Sequence, residues 1–311
     1  MPLYAITEHK LAIVEIQKFP SEKHLQALIE RNLDTVFNCR FVASEFPTGA
    51  KHGGRIDTLA ISEDNNPVII EYKKKETGEL VTQSLYYLAW IHDHRGDYEI
   101  VARKTLGNSL EVDWSDVRVI CISPNYSKFD LHAVNVMGAN IELWAYRLYK
   151  DQSLFLEKIA TQETVGLESE PDGEKNPVMV AAGKKAAITR AIGNYSFDEH
   201  ISGKSEKVRE LALAVQEFIL GIDPAIEESP KKNYVGYRIS QNIVCMEVMK
   251  QQVVLYIKLN PKEISDLPKI ARDMTDVGHY GTGNLEMTIK DLDDLEIAKP
   301  YIEMAHKKVG G

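Results

Sequence analysis

The chain has 311 residues, is 44% hydrophobic, and sets 37 basic against 46 acidic side chains for a net charge of −9. That size predicts about two domains with ordinary cores, and the acid excess argues against a protein that grips nucleic acid by overall basicity. Cys39, Cys121 and Cys245 are scattered, against a disulfide framework or a structural zinc site, and no run approaches the ~18 apolar residues of a membrane span.

The chain opens MPLYAITEHK, without the basic-then-apolar signature of a secretion signal, so a cytoplasmic protein is expected. Residues 3–6 and 10–16 predict a hairpin turning near Glu8-His9. Residues 21–37 have helical periodicity, with Leu25, Leu28, Ile29, Leu33, Val36 and Phe37 on one side and Ser21 as N-cap. Glu30 sits at the edge of that stripe. Residues 41–46 predict a strand, and 47–54 a glycine-rich connection. It is not a P-loop, because no Gly-Lys-Ser/Thr follows at the required spacing. Lys51, His52 and Arg55 are candidate contacts to backbone phosphates.

Residues 53–87 carry the chemistry. An apolar run, 56–61, is interrupted by Asp57. A turn of Ser62, Glu63, Asp64, Asn65, Asn66 and Pro67 follows, and a second run, 68–70, ends in Glu71-Tyr72-Lys73. Two short β-branched runs around turn residues predict a β-hairpin. Its closure near 63–65 sets Asp57 nearly opposite Glu71, with Lys73 on the same strand face as Glu71. Like charges across a strand pair destabilise it. A divalent cation would offset the cost, since carboxylate oxygens are the ligands that Mg²⁺ or Mn²⁺ prefers. Residues 78–91 then predict an amphipathic helix with Gln83 and Tyr87 on one face.

The order Asp57, Glu71, Lys73 resembles the PD-(D/E)XK nuclease superfamily, and Gln83-x-x-x-Tyr87 on the following helix is similar to its exonuclease-like branch. Ile56 stands where the family name has proline, a position that varies widely. The resemblance implies a restriction-endonuclease-like α/β core, a mixed sheet flanked by helices. It also implies that Asp57 and Glu71 hold Mg²⁺ or Mn²⁺ with the Tyr72 carbonyl, while Glu30 anchors a second ion or a bound water. Lys73 would orient or deprotonate the attacking water and stabilise charge. Gln83 would bind the water or the scissile phosphate, with Tyr87 in support. Lys74 and Lys75 are further candidate phosphate contacts.

Beyond this, residues 97–106 and 127–137 predict helices, and 117–123, 141–148 and 154–159 predict strands. His92 and His94, two apart, share no helical face and read as solvated. Residues 161–195 read as an acidic, polar linker, with a short helix over 178–192. The expected division is a nuclease-like domain at 1–160, this linker, and a smaller α+β domain at 196–311. In the latter, 206–222 predicts an amphipathic helix, 234–240, 243–249 and 253–259 antiparallel strands, 263–274 a helix, 278–284 a glycine-rich loop, 285–289 a strand and 292–308 a closing helix. This half resembles an uncharacterised C-terminal domain found behind nuclease-like domains. Lys231, Lys232, Tyr234, Tyr237 and Arg238 read first as a solvated strand edge, with a basic and aromatic cluster of the kind single-strand binders use as the alternative. The expected function is a metal-dependent nuclease acting on nucleic acid, DNA favoured over RNA, in repair or in defence and restriction. A non-catalytic nucleic-acid-binding or scaffold protein on the same fold is the competing class, and a homodimer is left open.

Overall fold

The computed structural model describes residues 2–49, 53–75, 78–137, 140–159 and 195–310. The chain divides into two compact units, Met1–Asp34 with Cys39–Ile192 and Thr35–Asn38 with Gly193–Gly311. Lys51, His52 and the whole segment expected as linker, except Tyr195, lie outside the described residues.

In chain order the first part runs β1 (Leu3–Thr7), β2 (Lys10–Val14), β3 (Ile16–Gln17), α1 (Glu22–Glu30), α2 (Leu33–Phe37), β4 (Cys39–Pro47), β5 (Arg55–Ser62), β6 (Pro67–Tyr72), α3 (Leu80–Asp93), α4 (Arg95–Leu106), β7 (Arg118–Ser123), α5 (Lys128–Met137), β8 (Ile141–Tyr149) and β9 (Leu154–Lys158). Among the described residues its large sheet has seven strands, ordered β3-β8-β7-β6-β5-β4 with β9 beside β8. β4–β5 and β5–β6 are antiparallel, whereas β6–β7 and β7–β8 are parallel. This is the α/β class with a mixed sheet flanked by helices. The central strands β6 and β7 are buried throughout, as continuous apolar runs between two helical layers should be. Leu59, Ile61, Ile69, Val119, Cys121 and Leu143 line one face, under Tyr87, Trp90 and Ile91 of α3 and Tyr98 and Ala102 of α4. The Tyr98 hydroxyl donates to the Ala60 carbonyl at 2.7 Å, fixing α4 to β5.

The helix expected over 21–37 is two helices. Ser21 caps α1, its hydroxyl accepting the His24 amide proton at 3.3 Å. At the other end Asn32 donates its amide side chain to the Leu28 carbonyl at 2.8 Å, and the chain restarts as α2. Such side-chain bonding competes with the helical ladder.

The second unit contains α6 (Phe197–Ile201), α7 (Glu206–Ile222), β10 (Glu227–Pro230), β11 (Val235–Arg238), β12 (Asn242–Val248), β13 (Val253–Ile257), β14 (Ala271–Asp273), β15 (Leu285–Ile289) and α8 (Leu292–Lys308). Its six-stranded sheet, ordered β10-β11-β12-β13-β15-β14, is antiparallel at every pair. Val208, Leu211, Val215 and Ile219 of α7 and Leu295, Ala298 and Ile302 of α8 share a core with Val235, Tyr237, Val244, Leu255 and Met287. The helix expected over 263–274 is absent: a single 3₁₀ turn, Pro261–Glu263, precedes the edge strand β14. Pro268 interrupts any helix there, and Arg272 instead pairs across the sheet with Glu286 at 2.7 Å.

Candidate active site

The β5–β6 hairpin turns where the sequence placed it. Asn65, at φ 63°, donates its amide proton to the Ser62 carbonyl, and the Ser62 amide donates to the Asn66 carbonyl. Thr58 pairs with Ile70, which brings Asp57 and Glu71 level at the open end of the ladder. There the two side chains replace the strand's own bonds. The Asp57 amide donates to Glu71 Oε1 and the Tyr72 amide donates to Asp57 Oδ2, both at 3.1 Å. Glu71 is fully buried, and its second oxygen, Oε2, has no hydrogen-bond partner among the described residues. Burial, then the Asp57 charge, push the Glu71 carboxyl well above the usual carboxylate range. Burial raises Asp57 as well, against the Tyr72 amide and the Lys73 ammonium, which favour its charged form. Lys73 follows β6 directly; its amide donates to the Ile122 carbonyl of β7, and its cation acts on both carboxylates.

Glu30, in the last turn of α1, is held apart from that pair. Its Oε1 accepts from the Thr58 hydroxyl at 2.7 Å and from the Gln26 amide at 3.0 Å. Gln26 also donates to the Asp57 carbonyl at 2.8 Å, so α1 is tied to the backbone of the site. The Tyr72 ring is buried, and its hydroxyl lies 3.3 Å from that of Thr58. On α3, the Gln83 amide donates to the Tyr87 hydroxyl at 3.1 Å, which also accepts the Arg55 amide proton at 3.2 Å. Tyr87 therefore pins the entry of the strand that carries Asp57. Gly54 makes room for it: a Cβ there would stand 2.8 Å from the Tyr87 ring. Among the described residues no group of three His, Cys, Asp or Glu side chains forms a metal cage.

Two further acids shape the field. Glu45 of β4 raises both Asp57 and Glu71, and Glu22 raises Asp57. Neither was singled out in the sequence, because each arrives from a different element. Glu45 also sits at φ 53°, a left-handed turn of the backbone that no strand pattern announces.

The cations expected to touch phosphate are partly engaged elsewhere. Arg55 pairs with Glu45 at 2.5 Å. Lys74 donates through Nζ to the Pro20 carbonyl at 2.7 Å and through its amide to Glu22 at 3.1 Å, whereas Lys75 is exposed. His94 is not simply solvated: its ring stacks on Trp90 with centroids 4.7 Å apart. In the second unit Tyr237 and Tyr234 are both buried, in the cores on opposite faces of the sheet. They are not available to stack on bases, so the expected basic and aromatic cluster reduces to Lys231, Lys232 and Arg238.

Residues 197–307 match the model of a family described as a domain of unknown function (DUF5655). The chain is 28% identical over 311 residues to an uncharacterized protein of Haemophilus influenzae, covering 99% of this chain and 100% of that protein. Among solved structures it is similar to EndoMS in a complex with double-stranded DNA, at 19% identity and a TM-score of 0.31, over 42% of this chain and 47% of that one. It is also similar to a repair endonuclease from Pyrococcus abyssi, at 18% identity and a TM-score of 0.29, over 41% and 48% of the two chains. The chain thus spans about half the length of each of these two structures.

Proposed function

We propose that this protein is a divalent-metal-dependent nuclease of the PD-(D/E)XK kind, hydrolysing phosphodiester bonds in DNA. The observation that carries the reading is Glu71. A fully buried carboxylate, one oxygen bare and another carboxylate beside it, is costly as it stands and suits a cation. The donor set fits a hard ion: two carboxylates are what Mg²⁺ takes when it keeps waters and shares substrate phosphate. Asp57 and Glu71 would hold it, with the Tyr72 carbonyl and, through a bound water, Glu30. A metal at this place would lower the pKa of water and neutralise charge on the phosphate.

The chain's own groups do the rest. The Lys73 ammonium, whose charge acts on both carboxylates, offsets their repulsion and would stabilise charge that develops on the phosphoryl oxygens. Tyr87 holds the Arg55 amide, and Gln26 the Asp57 carbonyl, so Asp57 is fixed at both its flanks before substrate arrives. Gln83 donates to the Tyr87 hydroxyl and is half-exposed, and it would bind the attacking water or the scissile phosphate.

The test is a panel of single-stranded, double-stranded and branched DNA and of RNA, incubated with Mn²⁺ or Mg²⁺. The expected result is cleavage of DNA that chelation stops and that Asp57→Ala and Lys73→Ala each abolish while circular dichroism is unchanged. Full cleavage by either variant refutes the site. Binding without cleavage on every substrate would favour the scaffold reading.

A further inference from the structure

The N-terminal strands β1 and β2 form a two-stranded sheet of their own, paired with neither large sheet among the described residues. Their register is Leu3↔Val14, Tyr4↔Ile13, Ala5↔Ala12, Ile6↔Leu11 and Thr7↔Lys10. The two-residue turn has positive φ at both positions, Glu8 at 48° and His9 at 65°, the turn whose twist matches paired strands. Directly opposed residues share a face, and so do residues two apart. Tyr4, Ile6, Leu11 and Ile13 therefore make one continuous apolar face, and all four lie in water, 46%, 78%, 68% and 64% exposed.

A hairpin of two strands is marginal in water and needs a partner layer on its apolar side. The base of this one is fixed. The Lys150 amide donates to the Glu15 carbonyl at 2.9 Å, the two side chains form an ion pair, and the next strand, β3, pairs with β8 through Ile16↔Tyr149. The hairpin is thus anchored at one end, and none of the described residues covers its apolar face.

The occupant can be argued from the face itself. It carries no cation, so phosphate backbones have nothing to bind. The tip is Glu8-His9 with Lys10 beside it, which is no wedge for a bilayer. The face is uncharged, and its two cross-strand pairs, Tyr4/Ile13 and Ile6/Leu11, are self-complementary under a two-fold axis through the centre of the patch. The Tyr4/Ile13 pair of one copy then covers the Ile6/Leu11 pair of the other. Stacking two such faces gives a four-stranded sandwich, the smallest arrangement in which each hairpin has a core. The exposed fractions correspond to about 500 Å² of surface per copy, hence about 1,000 Å² between two, at the lower bound for a specific interface.

We infer that the N-terminal hairpin is a dimerisation arm whose Tyr4, Ile6, Leu11 and Ile13 face stacks on the same face of a second copy of this chain. An interface at that lower bound makes a weak, reversible dimer. The inference does not depend on the nuclease reading.

Sedimentation equilibrium of the full chain tests it over a protein concentration range of roughly 1 to 300 µM. Wild type is expected to rise from 35.1 kDa toward twice that mass. The double variant Ile6→Asp/Leu11→Asp, both residues on the outside of the fold, is expected to stay at monomer mass throughout and, at the dilute end of the range where wild type is also monomeric, to unfold at the wild-type midpoint. Ala12→Asp, on the opposite face, is expected to dimerise as wild type does. A wild type that stays monomeric overturns the inference, whatever other protein is later found on the hairpin. Dimerisation of the double variant, or its loss in Ala12→Asp, overturns it as well.

Discussion

Glu71 keeps one oxygen on the Asp57 amide and leaves the other without a hydrogen-bond partner among the described residues, an arrangement that costs stability. Glu71→Gln retains the acceptor for the Asp57 amide and removes the buried charge. In EDTA at neutral pH it should stabilise the protein by about 1–3 kcal/mol in urea unfolding while cleavage falls to background. A variant both inactive and less stable would mean that the charged carboxylate holds the fold. Gly54 makes the complementary case by steric means. In Gly54→Ala the new Cβ meets the Tyr87 ring at 2.8 Å and the Thr48 hydroxyl at 3.1 Å, so the ring must shift and release the Arg55 amide. Cleavage should drop by roughly 10–100-fold, whereas Gly96→Ala, with open space around it, should leave cleavage unchanged. The sequence revealed Asp57 facing Glu71 because one tight turn sets their register. It could not reveal that Gly54 exists for Tyr87, since that contact joins positions 33 apart through tertiary packing alone.

Elements were legible where one local signal decided them. The stripe and serine cap of α7, the buried run of β7 and the turn between β5 and β6 all carry their own pattern. Legibility failed where side-chain bonding or an edge position overrode periodicity, as at Asn32 between α1 and α2, at Pro268 before β14, and along the polar edge strand β10. A second kind of feature was invisible for a different reason. Arg118 on β7 and Glu142 on β8 were not singled out in the sequence, yet both are buried and joined at 2.7 and 2.9 Å, with the Trp144 indole donating to Glu142 at 2.9 Å. Burial alone opposes the Arg118 charge, and Glu142 more than restores it. Removing one partner leaves an uncompensated buried charge, so Glu142→Leu should destabilise by about 3–5 kcal/mol. Arg118→Met combined with Glu142→Leu should recover most of that loss, measured as a non-additive double-mutant cycle. Additive losses would show that the two act separately.

The charge of the whole chain, −9, leaves little general attraction for nucleic acid, so the behaviour of the molecule should be governed by what occupies one pair of carboxylates. Asp57 and Glu71 both have folded-state pKa values above their ordinary ones. Between the ordinary carboxylate value and those raised values the folded chain binds more protons than the unfolded one. Stability then falls as pH rises through that window and levels off above it. Without metal, the pair should therefore make the protein more stable near pH 5 than near pH 8. A divalent ion competes with exactly those protons, because it binds the ionised pair, and it adds stability in proportion to the logarithm of its excess over its dissociation constant. Thermal unfolding of wild type at both pH values, in EDTA and with Mn²⁺, should show a Mn²⁺-induced rise in Tm that is large near pH 8 and small near pH 5. Asp57→Asn/Glu71→Gln should lose both the pH slope assigned to the pair and the Mn²⁺ shift. An equal Mn²⁺ shift in that double variant would place the ion elsewhere on the chain, and with it the chemistry proposed for Lys73.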